Sequence, residues 1–352
     1  MSDILNQGGF GCIYYPGLSC KGQPTTNKKL VSKLQPNDFN ARNEKNIGNL
    51  IKQISDYKMF FIPAQKGCSI SIQTLDPTIV NNCNTINKAH SNEMLLLDLD
   101  YEQSISLKDI ISPVLSIIEK KNKFVKLLET YKYLLSSIKN LLTIHIVHFD
   151  INLQNILFSV GKNVPLIIDF GKSIPMKQIT IENVNMWFYD YIPNNYLWPP
   201  EVHLLCYAIK YGDANITIDV TDKIAYDCIS NNVALTVFSE SLREKVIESC
   251  KNSLSKYANK PLHQIIDSVL QDYETWDNYA LSILYLTIIK NIFPKGFKYN
   301  MFLISFTQLL LVNVSPNTEK RQTIDKTIRD YGTIFYTESS VDSFSKLVED
   351  LF

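Results

Sequence analysis

Two stretches of this 352-residue chain carry side chains suited to chemistry on oxygen. His148-Phe149-Asp150-Ile151-Asn152-Leu153-Gln154-Asn155 is followed, after the strand-like run Pro165-Leu166-Ile167-Ile168, by Asp169-Phe170-Gly171. Together they place two carboxylates and a carboxamide on loops beside short apolar strands. Oxygen donors of this kind suit Mg²⁺, and a carboxylate among them can orient a hydroxyl and take its proton. A third stretch, Gly8-Gly9-Phe10-Gly11, gathers three of the chain's 12 glycines into four positions. Glycine lets backbone N–H groups approach a phosphate with no Cβ in the way, but a plain tight turn uses it equally well. Taken alone, the turn leaves both readings open.

Strands and turns must position these groups. Asp3-Ile4-Leu5 and Cys12-Ile13-Tyr14-Tyr15 flank the glycines as a hairpin. A third strand, Leu30 to Leu34, ends at Pro36, and Asn37 or Asp38 can cap a helix that puts Ile47, Leu50, Ile51 and Ile54 on one face, although Gly48 argues against that helix. From Phe60 to Asp100 the pattern is strand-like and loop-rich, closing with the apolar run Met94-Leu95-Leu96-Leu97. Helical spacing then takes over. Phe124 to Leu142 is strongly amphipathic, and further helices are expected at Ser241 to Tyr257, Leu262 to Tyr273, Trp276 to Ile292, Tyr299 to Val312 and Thr323 to Asp330. The class is α+β, with a strand-rich region over 1–97 and a larger helical region over 98–352.

Composition narrows the partners. Lys plus Arg and Asp plus Glu are both 35, so no global field draws the chain to nucleic acid or to an anionic membrane. The apolar stretches Tyr279 to Ile289 and Met301 to Val314 fall short of the roughly 18 apolar residues that a membrane helix needs and read as buried core helices. Met1-Ser2-Asp3 opens no signal or transit pattern. Seven scattered cysteines (Cys12, Cys20, Cys68, Cys83, Cys206, Cys228, Cys250), odd in number and without zinc or thioredoxin spacing, point to a reducing compartment.

The loop residues also resemble a known family, the eukaryotic-type protein kinases, whose catalytic loop reads H-R-D-x-x-x-x-N and whose metal-binding motif is D-F-G. The resemblance implies a bilobal kinase fold with ATP and Mg²⁺ between a small β-rich lobe and a larger helical lobe. It implies that Asp150 accepts the proton of a substrate hydroxyl and that Asn155 and Asp169 bind Mg²⁺. Lys33 would contact the α- and β-phosphates, with Glu44 as its partner on the next helix, and Gly8, Gly9, Phe10, Gly11 and Leu97 would line the nucleotide. Asn6 stands where the first glycine of G-x-G-x-x-G is expected. Trp198-Pro199-Pro200-Glu201 resembles A-P-E, Trp276-Asp277 resembles the start of the central helix whose aspartate braces the catalytic loop, and Arg321, one of four arginines, stands where an ion pair with Glu201 is implied. The matches run from about Asn6 to about Asp330. The Gly-Gly-Phe-Gly-Cys-Ile-Tyr-Tyr-Pro string and the Lys- and Asn-rich bias look similar to the divergent serine/threonine kinases of large double-stranded DNA viruses. The implied place is then host cytoplasm or virion, and otherwise cytoplasm.

Departures from the pattern bear on activity. Phe149 replaces the arginine that a phosphorylated activation loop neutralises in many kinases, so control by that route is not expected. Asn152 replaces the lysine aimed at the γ-phosphate and Gln154 is neutral too; Lys172 is a substitute cation or simply a solvated lysine. Between Glu201 and Asp277 lie about 60 more residues than the family needs, an insertion near 206–272 that either meets a protein partner or covers the helical region. Plainer readings accompany the other features: His145 and His148 as satisfied histidines rather than zinc ligands, Cys12 as a small buried filler, and Tyr189, Tyr191 and Tyr196 as packing aromatics. The implied reaction is γ-phosphoryl transfer from ATP to Ser or Thr hydroxyls of a protein substrate. A pseudokinase or nucleotide-binding scaffold, and a kinase of small molecules, stand as alternatives.

Overall fold

A computed structural model describes residues 2–8, 11–87, 91–111, 117–212, 216–294, 296 and 300–338. In chain order the first elements are β1 (Asp3–Gln7), β2 (Cys12–Tyr15), β3 (Leu30–Pro36), α1 (Phe39–Ile51), β4 (Lys66–Ser71), α2 (Pro77–Asn82), α3 (Asn84–Asn87), β5 (Glu93–Asp100) and β6 (Ser104–Ser106). Then come α4 (Leu107–Ile110), α5 (Ile117–Thr143), β7 (Ile146–Val147), β8 (Ile156–Ser159), β9 (Pro165–Ile167), β10 (Ile174–Pro175) and α6 (Pro200–Tyr211). The remainder is α7 (Ile218–Ser230), α8 (Glu240–Leu254), α9 (Leu262–Leu270), α10 (Trp276–Ile292), α11 (Met301–Asn313) and α12 (Ile324–Glu338). The chain is α+β and forms two compact units. The first runs past residue 97 to Ile105 and takes back Asn155–Ser173; the second comprises Ser106–Gln154 and Ile174–Phe352.

In the first unit an antiparallel sheet is ordered β1-β2-β3-β5-β4, and a smaller one β6-β8-β9. Alternation of side chains along each strand gives the larger sheet two faces with different jobs. Cys12, Tyr14, Leu34, Ile70, Met94 and Leu96 are buried on one face with Leu75, Ile79, Cys83 and Ile86, so the short helices α2 and α3 cap it. Val31, Leu95, Leu97 and Leu99 occupy the other face with Ala41, Ile62, Ala64 and Leu166, and Ile13, Tyr15, Leu157 and Ile168 lie half-buried against them. Lys33 lies two residues from Val31 and stands opposite Leu97 in the β3–β5 ladder.

Helix α1 begins where Asp38 accepts a hydrogen bond from the Ala41 N–H at 2.9 Å. It buries Ala41, Asn43, Glu44, Ile47, Gly48 and Ile51 and ends before Ile54, which the expected face included. Gly48 argues against a helix by propensity but is required by packing, because a Cβ there would lie 2.6 Å from the Ala64 carbonyl oxygen. The helices α2 and α3 were not expected from the strand-like pattern of 60–100. Their six and four residues are too short for a helical period to show.

The cysteines correct the reading by sequence spacing. Cys12 is bonded to Cys83 and Cys20 to Cys68, each with Cα atoms 6.0 Å apart, so spacing carried no argument for free thiols or for a reducing compartment. Cys12 is therefore a cross-link of the capped face rather than a mere filler. Cys206, Cys228 and Cys250 are buried free thiols.

The second unit packs around α10 and α11, the two apolar stretches expected to be core. Helix α10 is buried on nearly every side, as a helix that is apolar all round must be. Tyr131 of α5 meets Tyr285, Phe306 and Tyr331 edge-on at 4.7 to 5.1 Å, and the Tyr285 and Tyr331 hydroxyls donate to the Leu127 and Leu128 carbonyls at 2.9 and 2.8 Å. In the 206–272 region α8 and α9 appear where expected, with α7 in addition. Ile224, Cys228, Ile229, Cys250, Leu254, Ile265 and Val269 from this region share one core with Val202, Leu205 and Trp276, so its inner faces complete the core of the unit. Tyr299, the expected start of α11, lies outside the described residues. No described helix is long and apolar enough to cross a membrane.

Bridging residues 71 apart removes much of the unfolded chain's freedom. With Cys20–Cys68 still shortening that loop, the Cys12–Cys83 bond is worth about 3 to 4 kcal/mol in the chain-entropy account. Cys83→Ala should lower the denaturant midpoint of the first unit accordingly, and further loss on adding reductant should then be smaller than in the wild type. Equal midpoints for wild type and variant without reductant would show that the bond contributes nothing.

Candidate functional site

The sequence-predicted residues divide between the two units. In the first, the Lys33 ammonium lies 2.8 Å from Glu44 Oε2 and 2.9 Å from Asp169 Oδ1, joining β3, α1 and the loop after β9. Gln35 donates to the same Glu44 oxygen at 3.0 Å. Burial opposes the charge on Lys33, but the two carboxylates outweigh it and hold its pKa well above the ordinary lysine range. Burial pushes the Glu44 carboxyl upward, and Lys33 works against that shift. The Asp169 side chain is the most open of the three at 26% exposure, so the triad is reached from its side.

The loop around Asp169 is held from behind. Asn43, next to Glu44 on α1, donates to the Gly171 and Ser173 carbonyls at 2.9 and 2.7 Å. Asp169 adopts φ +64°, uncommon for an aspartate, and Phe170 is buried edge-on to Phe61 with ring centres 6.0 Å apart. Asn155 is tied to the same loop, its carbonyl accepting the Ile168 N–H at 3.0 Å. Sequence reasoning missed Asn43. An asparagine beside the helix glutamate gives no local sign that it reaches a loop 128 residues away.

The glycine turn belongs to this unit as well. The Gly8 N–H donates to the Gly11 carbonyl at 2.9 Å, and the Gly8 carbonyl accepts from the Thr85 hydroxyl at 2.8 Å. A Cβ on Gly11 would strike the Leu34 carbonyl, so β3 itself demands glycine there. A Cβ on Gly8 would meet nothing within 4 Å, so no neighbour in the described chain demands it. Gly9 and Phe10 lie outside the described residues. Leu97 is fully buried opposite Lys33, and Lys172 is half-buried just beyond Gly171.

Asp150 belongs to the second unit. The Asp277 carboxylate accepts the backbone N–H of His148 at 2.6 Å and of Phe149 at 2.9 Å, so the start of α10 grips the loop directly before Asp150. Burial raises the Asp277 pKa, against the pull of His148 and these two donors. Phe149 itself sits at φ +65°. Asn152 donates to the Asp150 carbonyl at 3.1 Å and accepts the Gln154 N–H at 2.9 Å, a local turn that any asparagine can make. His145 Nδ1 lies 2.9 Å from the Tyr273 hydroxyl, and the His148 ring accepts the Asp150 N–H at 3.3 Å, so both rings have protein partners. Tyr191 packs edge-on to Tyr207 at 5.3 Å, whereas Tyr189 is exposed.

Glu201 and Arg321 form the implied ion pair, bidentate at 2.5 and 2.8 Å and almost fully buried. The Arg321 Nε–H also donates to the Ser315 carbonyl at 2.7 Å, and Tyr279 lies under the guanidinium with its ring centre 5.1 Å away.

No group of three or more His, Cys, Asp or Glu side chains able to hold a metal is gathered among the described residues. Mg²⁺ does not need one. It binds through one or two protein oxygens together with phosphate and water, and Asn155 and Asp169, tied together through Ile168, offer donors of that hard type.

Two measurements test this framework. Removing one partner of a buried ion pair leaves the other charge stranded, so Arg321→Leu should cost the second unit about 3 to 5 kcal/mol by denaturant unfolding, and Glu201→Leu with Arg321→Leu clearly less. His203 is buried with Nε2 3.0 Å from the Asn195 carbonyl, and burial lowers its pKa to about 4. An unfolded histidine takes its proton near pH 6.5, so the stability from this group is complete above that pH and is lost as pH falls toward 4, by at most roughly 3 kcal/mol. His203→Gln should flatten the stability profile between pH 6.5 and 4; an unchanged slope would refute the assignment.

Comparison with known proteins adds no relative: no protein-family model matches the chain, and no curated protein is significantly similar to it.

Proposed function

We propose that this chain is an ATP-dependent protein kinase of the eukaryotic type, with the bilobal fold of that family, acting on Ser or Thr hydroxyls. One observation carries the reading: Lys33, Glu44 and Asp169, up to 136 residues apart, meet through a single buried ammonium. A purely structural ion pair needs one carboxylate. A lysine held charged between a buried and a more open carboxylate is instead ready to exchange the open one for phosphate oxygens. The half-buried side chains of Ile13, Leu157 and Ile168, backed by the buried Val31 and Leu97 on the same sheet face, suit a base. Gly8, which no neighbour in the described chain requires to be glycine, suits the approach of a phosphate.

In this reading Mg²⁺ supplies charge neutralisation at the phosphates, and Asn155 and Asp169 would hold it. Asp150 orients the substrate hydroxyl and takes its proton as the oxygen bonds to the γ-phosphorus, while the bond from that phosphorus to the bridging oxygen breaks and ADP leaves. Asp277 keeps Asp150 in place by holding the two preceding backbone amides.

A second reading, a nucleotide-binding scaffold without transfer, draws on the loop itself. The 148–155 stretch contains no lysine or arginine, and Asn152 is engaged in its own turn. Losing one donor to developing charge costs about 10²- to 10³-fold in rate in other enzymes. Slow transfer is therefore expected.

Purified protein with radiolabelled ATP, Mg²⁺ and a mixed protein substrate should label the substrate. Asp150→Asn should cut labelling at least about 100-fold while keeping the thermal shift with Mg·ATP, and Asp169→Asn should lose both. Labelling that neither substitution changes would remove the assigned roles, and a Mg·ATP shift without any labelling would select the scaffold.

A further inference from the structure

Phe149 is gripped at three points. Its N–H is taken by Asp277 at 2.9 Å, its carbonyl accepts the indole N–H of Trp198 at 3.0 Å, and its ring stacks on the Trp198 ring with centres 4.7 Å apart and planes 22° from parallel. Phe188 meets the Phe149 ring edge-on at 5.5 Å, and Trp276 closes the group at 5.9 Å from Phe149 and 5.8 Å from Phe188. All four rings are less than 10% exposed. Phe188 and Trp198 lie on the segment between β10 and α6, Phe149 directly precedes Asp150, and Trp276 opens α10. The segment is thus fastened to the loop by these apolar rings together with the Trp198 hydrogen bond.

This arrangement has a physical consequence for Asp150. A residue at φ +65° without glycine's freedom persists only where its surroundings hold it. Asp277 fixes the Phe149 N–H in the peptide unit before this residue, and Trp198 fixes the Phe149 carbonyl in the unit after it, whose nitrogen is that of Asp150 and whose N–H the His148 ring accepts at 3.3 Å. Rotation of that peptide plane would swing Asp150. An aromatic stack responds to no added charge, so the segment needs no phosphate to stay docked.

We propose that Trp198 is a positioning residue for Asp150, which it holds in working orientation by stacking on Phe149 and bonding the Phe149 carbonyl, with no phosphorylated side chain required. This rests on the kinase reading above. Trp198→Phe keeps a ring and loses the donor; Trp198→Leu loses both. The loss of one hydrogen bond corresponds to about 3- to 10-fold. Protein freed of phosphate by a phosphatase, and confirmed so by intact mass, should transfer phosphate from ATP at an undiminished rate. In Trp198→Phe kcat should drop about 3- to 10-fold and in Trp198→Leu further, with KM for ATP and the Mg·ATP thermal shift unchanged. Amide hydrogen exchange should quicken at 148–150 and 184–198 in the same order, a readout that does not depend on activity. A graded kcat with constant KM separates positioning from a general loss of fold, which would move all of these together and would count against the proposal. Wild-type transfer that Trp198→Phe leaves untouched, or that vanishes on dephosphorylation and returns on rephosphorylation, overturns the proposal and spares the kinase reading. Absence of transfer in wild type sinks both.

Discussion

A buried ammonium can stay charged only if carboxylates surround it, and in the first unit that requirement falls on Lys33. Its Nζ has Glu44 at 2.8 Å and Asp169 at 2.9 Å, so the strand, the helix and the loop that supply them must meet at one point. The local structure serves that meeting. Asp38 starts α1 at the residue that brings Glu44 inward, Gly48 lets the helix approach Ala64, and Asn43 holds the loop after Asp169 by two carbonyls. Any slip of β3 by one residue would turn Lys33 to the capped face of the sheet and strand both carboxylates.

The second unit meets the same constraint with different groups. Asp277 is buried because two backbone amides complete its oxygens, and Glu201 because Arg321 matches it with two parallel bonds. These polar anchors lie at the edges of one aromatic and aliphatic core to which α7, α8 and α9 also contribute. The helices of 206–272 are therefore part of what holds Glu201 and Arg321 out of water, whatever their outer faces do.

The two faces of the five-stranded sheet belong to separate cores. Both disulfides join residues of the capped face or its rim, and α2 and α3 close it. The opposite face carries Lys33 and the apolar floor. Thr85 reaches from the cap to the Gly8 carbonyl, so the glycine turn is held from the capped side while a Cβ at Gly8 would meet nothing within 4 Å in the described chain.

Local chemistry made part of this legible in the sequence. The strand character of β2 and β3, the all-round apolarity of α10 and α11, a cap at Asn37 or Asp38 and the oxygen-bearing side chains Asp150, Asn155 and Asp169 beside short apolar strands depend on residue types a few positions apart. The pairing of Arg321 with Glu201 was expected only because the motifs around both resemble a family in which they pair, not from any spacing in the chain. Tertiary structure alone decided the rest. Cysteines 71 and 48 residues apart become partners, Asn43 finds carbonyls 128 residues on, and Phe149 meets Phe188, Trp198 and Trp276, because three-dimensional packing joins surfaces that no sequence period records. A period tells which side of an element seeks burial, but not which distant side it will find.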